Sequence, residues 1–168
     1  ILANLDIFYK NISTHISGKR GETLLNMYKG MEEHLATCPA SPKEGFHNAF
    51  VGGYVEHVNR VVNFAIIMDK VWDKFGQTKN YSQEELIFSA INHDLGKLGY
   101  SIDEPFYVPN DSEWHIKNQG AYFKLNKNLP HMRIADRSLY TLQLYSISVT
   151  ENEYLAIKLH DGPFEKSN

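Results

Sequence analysis

The feature that most constrains the fold is the stretch from Tyr81 to Tyr100. Ser82 stands where a helix cap belongs, and Glu85, three residues on, can reach back to the Ser82 backbone, the reciprocal arrangement of a capping box. Tyr81 and Leu86 occupy the two positions of a hydrophobic staple. Leu86, Ile87, Ala90 and Ile91 then form an apolar stripe at helical spacing, and Gly96 is a natural stop. A helix marked in this way must be covered on one side, so the chain has to supply partners for it. The same stretch holds His93-Asp94 followed by Leu95-Gly96-Lys97, and the spacing puts the pair in the helix's last turn. Consecutive helical side chains diverge by about 100°, close to the angle between adjacent ligands of an octahedral ion. An imidazole with a carboxylate also makes the mixed nitrogen and oxygen set that suits Mn, Fe, Ni, Co, Zn or Mg. Alone, the dipeptide has a plainer role, because a His at a helix end complements the helix dipole.

The rest of the chain supplies helical partners. Residues 1–20 hold an apolar Leu5-Ile7-Phe8-Tyr9 patch and a Gly18-Lys19-Arg20-Gly21 break. A first firm helix is expected over about 22–36, with Leu24, Tyr28, Met31 and Leu35 in the core and His34 on the surface. Pro39 and Pro42 force a connection, and Gly52-Gly53 leads into a helix that extends to about Phe75. On it His57 shares a face with Tyr54, Val61, Phe64 and Met68, read as inward. Antiparallel packing against the central helix would bring His57 to His93. Pro105 and Pro109 make Ser101 to Asn110 a loop, and a polar helix with Glu113, Trp114, His115 and Lys117 follows Ser112. Asp136 reads as the N-cap of a helix carrying Leu139, Leu142 and Tyr145. A second capping box, Thr150 with Glu153, opens a helix that places Tyr154, Ile157 and His160 on one face and ends at Asp161-Gly162-Pro163. With no period-two stretch and no internal repeat, the expected class is all-α.

A length of 168 residues suits a single domain over 1–168. The net charge of −3 gives no bulk attraction to long nucleic acid or anionic membrane, so any phosphate recognition would be local. No apolar run approaches a membrane span. The single Cys38 cannot form an internal disulfide, which favours a reducing, cytoplasmic compartment. Eight His justify a search for ligands. The chain begins at Ile1 and stops at Glu165-Lys166-Ser167-Asn168 just after a turn, so it is expected to be trimmed at both ends. No heptad seam indicates an oligomeric state.

With His57, then His93-Asp94, and Lys97 three residues after the Asp, the chain resembles the HD-domain metal-dependent phosphohydrolase superfamily. The runs Pro39-Ala40-Ser41, Phe46-His47-Asn48-Ala49-Phe50, Gly52-Gly53-Tyr54-Val55-Glu56-His57, Asp136-Arg137-Ser138-Leu139-Tyr140 and Ala156-Ile157-Lys158-Leu159-His160-Asp161-Gly162 look like a bacterial and bacteriophage subgroup. The resemblance covers residues 38–163. It implies a compact HD-like helical bundle in which His57, His93 and Asp94 bind a divalent metal ion and Asp94 and Lys97 serve catalysis, Lys97 by contacting phosphate. The implied substrate is a small phosphoester, a nucleotide or a nucleic-acid end, attacked by a metal-activated water. His47, His115, Arg137 and Asp161 are candidate substrate contacts, each with a structural role also open to it.

Two departures from the family pattern qualify what the resemblance implies. The family's final Asp has no counterpart after Asp161, so it is expected beyond Asn168, with Asp136 the local alternative. His160 matches one second-metal His, but Ile134 stands where another is usual, so one tight metal and a weaker second are expected. Two other classes remain: an HD-type di-iron oxygenase, which would need two well-made sites, and a non-catalytic metal- or nucleotide-binding regulatory domain.

Overall fold

The computed structural model describes residues 1–100 and 104–162. Within them lie α1 (Leu2–His15), α2 (Gly18–Gly30), α3 (Glu32–Thr37), α4 (Gly53–Lys74), α5 (Gln83–Asn92), a 3-10 turn (Leu95–Leu98), β1 (Tyr107–Pro109), α6 (Glu113–Gln119), β2 (Phe123–Leu125), α7 (Ile134–Leu144) and α8 (Glu151–Lys158). The architecture is a compact, mostly α-helical bundle, as the periodicity predicts. No helix among the described residues is long and apolar enough to cross a membrane. One expectation fails in detail: the segment before Asn110 is not all loop. Tyr107, Val108 and Pro109 pair antiparallel with Leu125, Lys124 and Phe123, strands too short for alternation to register. Residues 101–103 of that segment, and Pro163 at the expected end of the last helix, lie outside the described residues.

The middle of the bundle is α5 with the turn that follows it, for every residue from Ile87 to Gly99 is buried. Around it pack α1, α4 and α8. The N-terminal apolar patch proves to be a full helix, α1, because Leu5, Phe8 and Ile12 recur at three- and four-residue spacing on one buried face. The expected helix over 22–36 starts earlier, at Gly18, and breaks at Met31, where φ is −115° and ψ 20°. That break turns His34 inward. Contrary to its reading as a surface residue, His34 is buried and its Nε2 meets the Leu98 carbonyl. Burial lowers its pKa, the neutral ring being the form that costs least there. Below the turn, the Tyr28 hydroxyl donates to Asn92 Oδ1 at 2.9 Å, and Asn92 Nδ2 donates to the Phe88 carbonyl at 2.8 Å. The buried Tyr28 hydroxyl and Asn92 amide are thereby paired.

Both capping boxes form, and they are joined. Ser82 Oγ accepts from Glu85 N at 3.1 Å while Glu85 Oε2 accepts from Ser82 N at 2.8 Å. Thr150 and Glu153 repeat the pattern. Glu85 Oε1 then accepts from Thr150 Oγ1 at 2.7 Å and Asn152 Nδ2 at 3.3 Å. The starts of α5 and α8 are therefore tied, and the two helices run side by side in parallel toward His93 and His160. Glu153 is fully buried, held by Arg20 of α2, whose guanidinium lies 4.0 Å over the Phe88 ring. Ser82→Ala is expected to cost about 1 kcal/mol and to lower the melting temperature by about 3 °C, read by thermal denaturation. No loss would mean that the cap carries no stability.

Along α4, Tyr54, Val55, Val58 and Val62 are buried. Phe64 and Met68, expected to face inward with His57, are instead 59% and 54% exposed. This helix is apolar on two sides, so periodicity alone does not choose the inner one. Asp136 is likewise not a cap. It is the third residue of α7, which Arg133 precedes as N-cap, and it pairs with Lys158 of α8.

Candidate metal centre

The α-helix stops at Asn92, just before the pair that its pattern places in the last turn. His93 caps it in helical geometry, and Asp94, at φ −105° and ψ 10°, opens the 3-10 turn. Gly96 is not the stop expected of it; Gly99, at φ +78° and ψ −143°, ends the 3-10 turn instead. What Gly96 provides is room. A Cβ there would stand 2.2 Å from the Ile134 carbonyl oxygen and 2.9 Å from Arg137 Cβ, so α7 can lie directly on the turn only because the side chain is missing. Gly96 N donates to Ser138 Oγ at 2.8 Å, and that hydroxyl lies 3.1 Å from the His93 carbonyl. The backbone of His93 is thus fixed from behind.

Three donor atoms converge in front of it. His57 Nε2 is 3.2 Å from His93 Nε2, and each is 3.3 Å from Asp94 Oδ2. Donors about 2.1 Å from a common ion are separated by about 3.0 Å in an octahedral set and about 3.4 Å in a tetrahedral one, so the near-equilateral triangle fits a first-row divalent ion. His93 Nδ1 lies 2.9 Å from the Ala90 carbonyl. That contact calls for a proton on Nδ1 and turns Nε2 toward His57 and Asp94. His47 also belongs to the cluster: donor atoms of His47, His57 and Asp94 lie within 4.8 Å of one another, and the His47 and His57 rings are 4.4 Å apart. The cluster could hold a metal ion.

The second carboxylate oxygen faces elsewhere. Asp94 Oδ1 is 3.5 Å from His160 Nε2, which is itself 3.2 Å from Asp161 Oδ2. His160 Nδ1 sits 2.8 Å from the Ile157 carbonyl, the arrangement that His93 has. Lys97 Nζ is 2.7 Å from Asp94 Oδ2. Burial opposes ionisation of Asp94, but hydrogen bonds from His160, His57 and His93 outweigh it and hold the carboxyl well below its usual range. For His160, burial disfavours the proton and the Asp94 hydrogen bond more than restores it, so its pKa is raised. Burial lowers that of His47, helped by the neighbouring His57 and Lys97.

These residues line a cleft of about 420 Å³ with His47, His57, His93, Asp94, Lys97, His160 and Asp161 on its polar side and Val61, Ala65, Leu86 and Ala156 on its apolar side. Two expected contacts do not reach it. His115, near the start of α6, is exposed, bonds its own cap residue Ser112 at 2.6 Å, and faces a separate groove with Lys43 and Lys124. Arg137 is 1% exposed and points away. Its Nη2 donates to the Pro130 carbonyl at 2.8 Å, and its guanidinium packs 4.8 Å from the Tyr100 ring. Asp136, the local alternative for a fourth ligand, lines another groove with Leu139 and Tyr154. His47, expected as a substrate contact or a loop anchor, stands with the donors. Its loop is brought there by Ser41 Oγ, which donates to the His47 carbonyl at 2.6 Å. In comparisons with known proteins no family model matches the chain, and neither a curated protein nor a solved structure is detectably similar to it.

Proposed function

We propose that this chain is an HD-type metal-dependent phosphohydrolase that cleaves a phosphoester of a nucleotide or a nucleic-acid end. The observation that carries the reading is the triangle of His57 Nε2, His93 Nε2 and Asp94 Oδ2, with edges of 3.2–3.3 Å, beside a buried lysine. His57, His93 and Asp94 would hold the ion, and His47 is a further donor within 4.8 Å of His57 and Asp94. A bound divalent ion would acidify a water and polarise the phosphoryl oxygen. Lys97 brings a single ammonium to the same carboxylate, where it can meet phosphate charge as a point cation. His160 and Asp161, with Asp94 Oδ1, supply donors for a second and weaker ion.

Metal removal tests this directly. Turnover of at least one phosphoester in a panel of nucleotides is expected, to vanish after treatment with a chelator, and to return with one of Mn, Fe, Ni, Co, Zn or Mg. Full turnover by metal-free protein overturns the proposal. Metal binding without turnover of any phosphoester would point to the non-catalytic reading, and two irons with oxygen consumption to the oxygenase.

A further inference from the structure

The cleft continues past the histidines. A side arm of about 190 Å³ opens between α5 and α8, and Leu86, Ser89 and Ala156 line both it and the main chamber. Asn80, Tyr81, Glu85 and Asn152 form its other walls. The arm lies at the tied starts of the two helices and the donor atoms lie at their ends. From Leu86 to His93 is about 10 Å along a helix at 1.5 Å per residue. Together the chambers fall in the range of about 300–1,000 Å³ usual for small-molecule sites.

Charge distinguishes the two chambers. Lys97 is the single Lys or Arg of the main chamber's lining, and the arm has none. The arm has Glu85 instead, whose carboxyl is held below its usual range by the Ser82 backbone N–H and by the Thr150 hydroxyl. One phosphate therefore meets one ammonium, whereas a second or third phosphate extending along the cleft would meet a carboxylate. The remaining arm groups suit an uncharged ring. Leu86 and Ala156 are apolar. Asn152 spends its Nδ2 on the Asn80 carbonyl at 2.9 Å and on Glu85, which leaves Oδ1 as an acceptor. The Asn80 side chain makes no hydrogen bond among the described residues.

Building on the phosphohydrolase reading, we infer that the substrate is a phosphomonoester of nucleoside size, with its phosphate at His93, Asp94 and Lys97 and a flat, uncharged, hydrogen-bonding ring in the arm beside Leu86, Ala156 and Asn152. A nucleoside triphosphate and a nucleic-acid end, which carry further phosphates, fit the arm poorly.

The test compares a nucleoside 5′-monophosphate, the matching triphosphate and methyl phosphate as substrates of the metal-loaded protein, and measures binding of the phosphate-free nucleoside by calorimetry. The monophosphate should exceed both other esters in kcat/KM by at least tenfold, and the nucleoside should bind alone. Ala156 is exposed, so Ala156→Phe can narrow the junction of the chambers without displacing the core. It should cut the monophosphate's advantage over methyl phosphate at least tenfold and remove nucleoside binding. Equal turnover of all three esters without nucleoside binding, or a preference for the triphosphate, overturns the inference and leaves the phosphohydrolase reading standing. Nucleoside binding by a wild-type protein that turns over no phosphoester overturns the phosphohydrolase reading, and with it the phosphomonoester substrate, and leaves the arm as a nucleoside-binding site. The wild-type comparison decides the matter even if Ala156→Phe fails to fold.

Discussion

Asp94→Ala is expected to abolish metal binding and to lower phosphoester turnover on the order of a thousandfold or more, since the ion and the chemistry it supports are lost together. The size of the effect follows from how much depends on one side chain. Oδ2 closes the donor triangle and pairs with Lys97, while Oδ1 faces His160. Removing it also leaves the Lys97 ammonium buried without its carboxylate, a loss of about 3–5 kcal/mol in comparable buried pairs. Asp94→Asn keeps the volume and separates the two effects, and it should fold while still failing to retain metal. Metal content by mass spectrometry, phosphoester turnover and circular dichroism on both variants decide the point. A folded variant that keeps wild-type turnover would exclude Asp94 from the chemistry.

The second large effect is expected far from any ligand atom. Gly96→Ala should destabilise the protein by about 3 kcal/mol, the upper part of the range for overpacking, and lower the melting temperature by about 10 °C. The new methyl would stand 2.2 Å from the Ile134 carbonyl, which is backbone and cannot swing aside, so α7 must move off the turn. That movement breaks the bond from Gly96 N to Ser138 Oγ and frees the His93 carbonyl. Metal affinity should therefore fall by about 10- to 100-fold, as when an outer support of a ligand is lost. Gly30 tests the same substitution without the clash, because nothing lies within 4 Å of its would-be Cβ. Thermal melts and metal titration would show it; an unchanged melting temperature in Gly96→Ala would disprove the close seating of α7.

Much of this could be read from the residues, and the failures share a physical cause. Capping boxes are local, involving side chains three residues apart, and both formed as expected. His57, His93 and Asp94 could be expected to meet because two apolar helix faces had to pack, and they do. What periodicity lacks is an outside reference. On α4 it marks two apolar sides without ranking them, and the one with Phe64 and Met68 faces outward. On α3 a break of one residue at Met31 rotated His34 from surface to core. Sequence gives positions but not directions: Arg137 and His115, both expected at the cleft, lie respectively packed behind the turn and out on α6. The β1–β2 pairing was invisible because three residues cannot display an alternation, and α6 stands between the strands.

The parallel course of α5 and α8 has an electrostatic consequence. Each helix carries about half a negative charge at its C-terminal end, and both ends arrive at the cleft, where His93 and His160 stand with rings 5.1 Å apart. At the opposite ends Glu85 and Glu153 sit in the caps and answer the positive poles. The start of α4, about a turn before His57, offsets the field only in part. The backbone itself thus draws cations to the place where the side chains can grip one, before any donor atom is engaged.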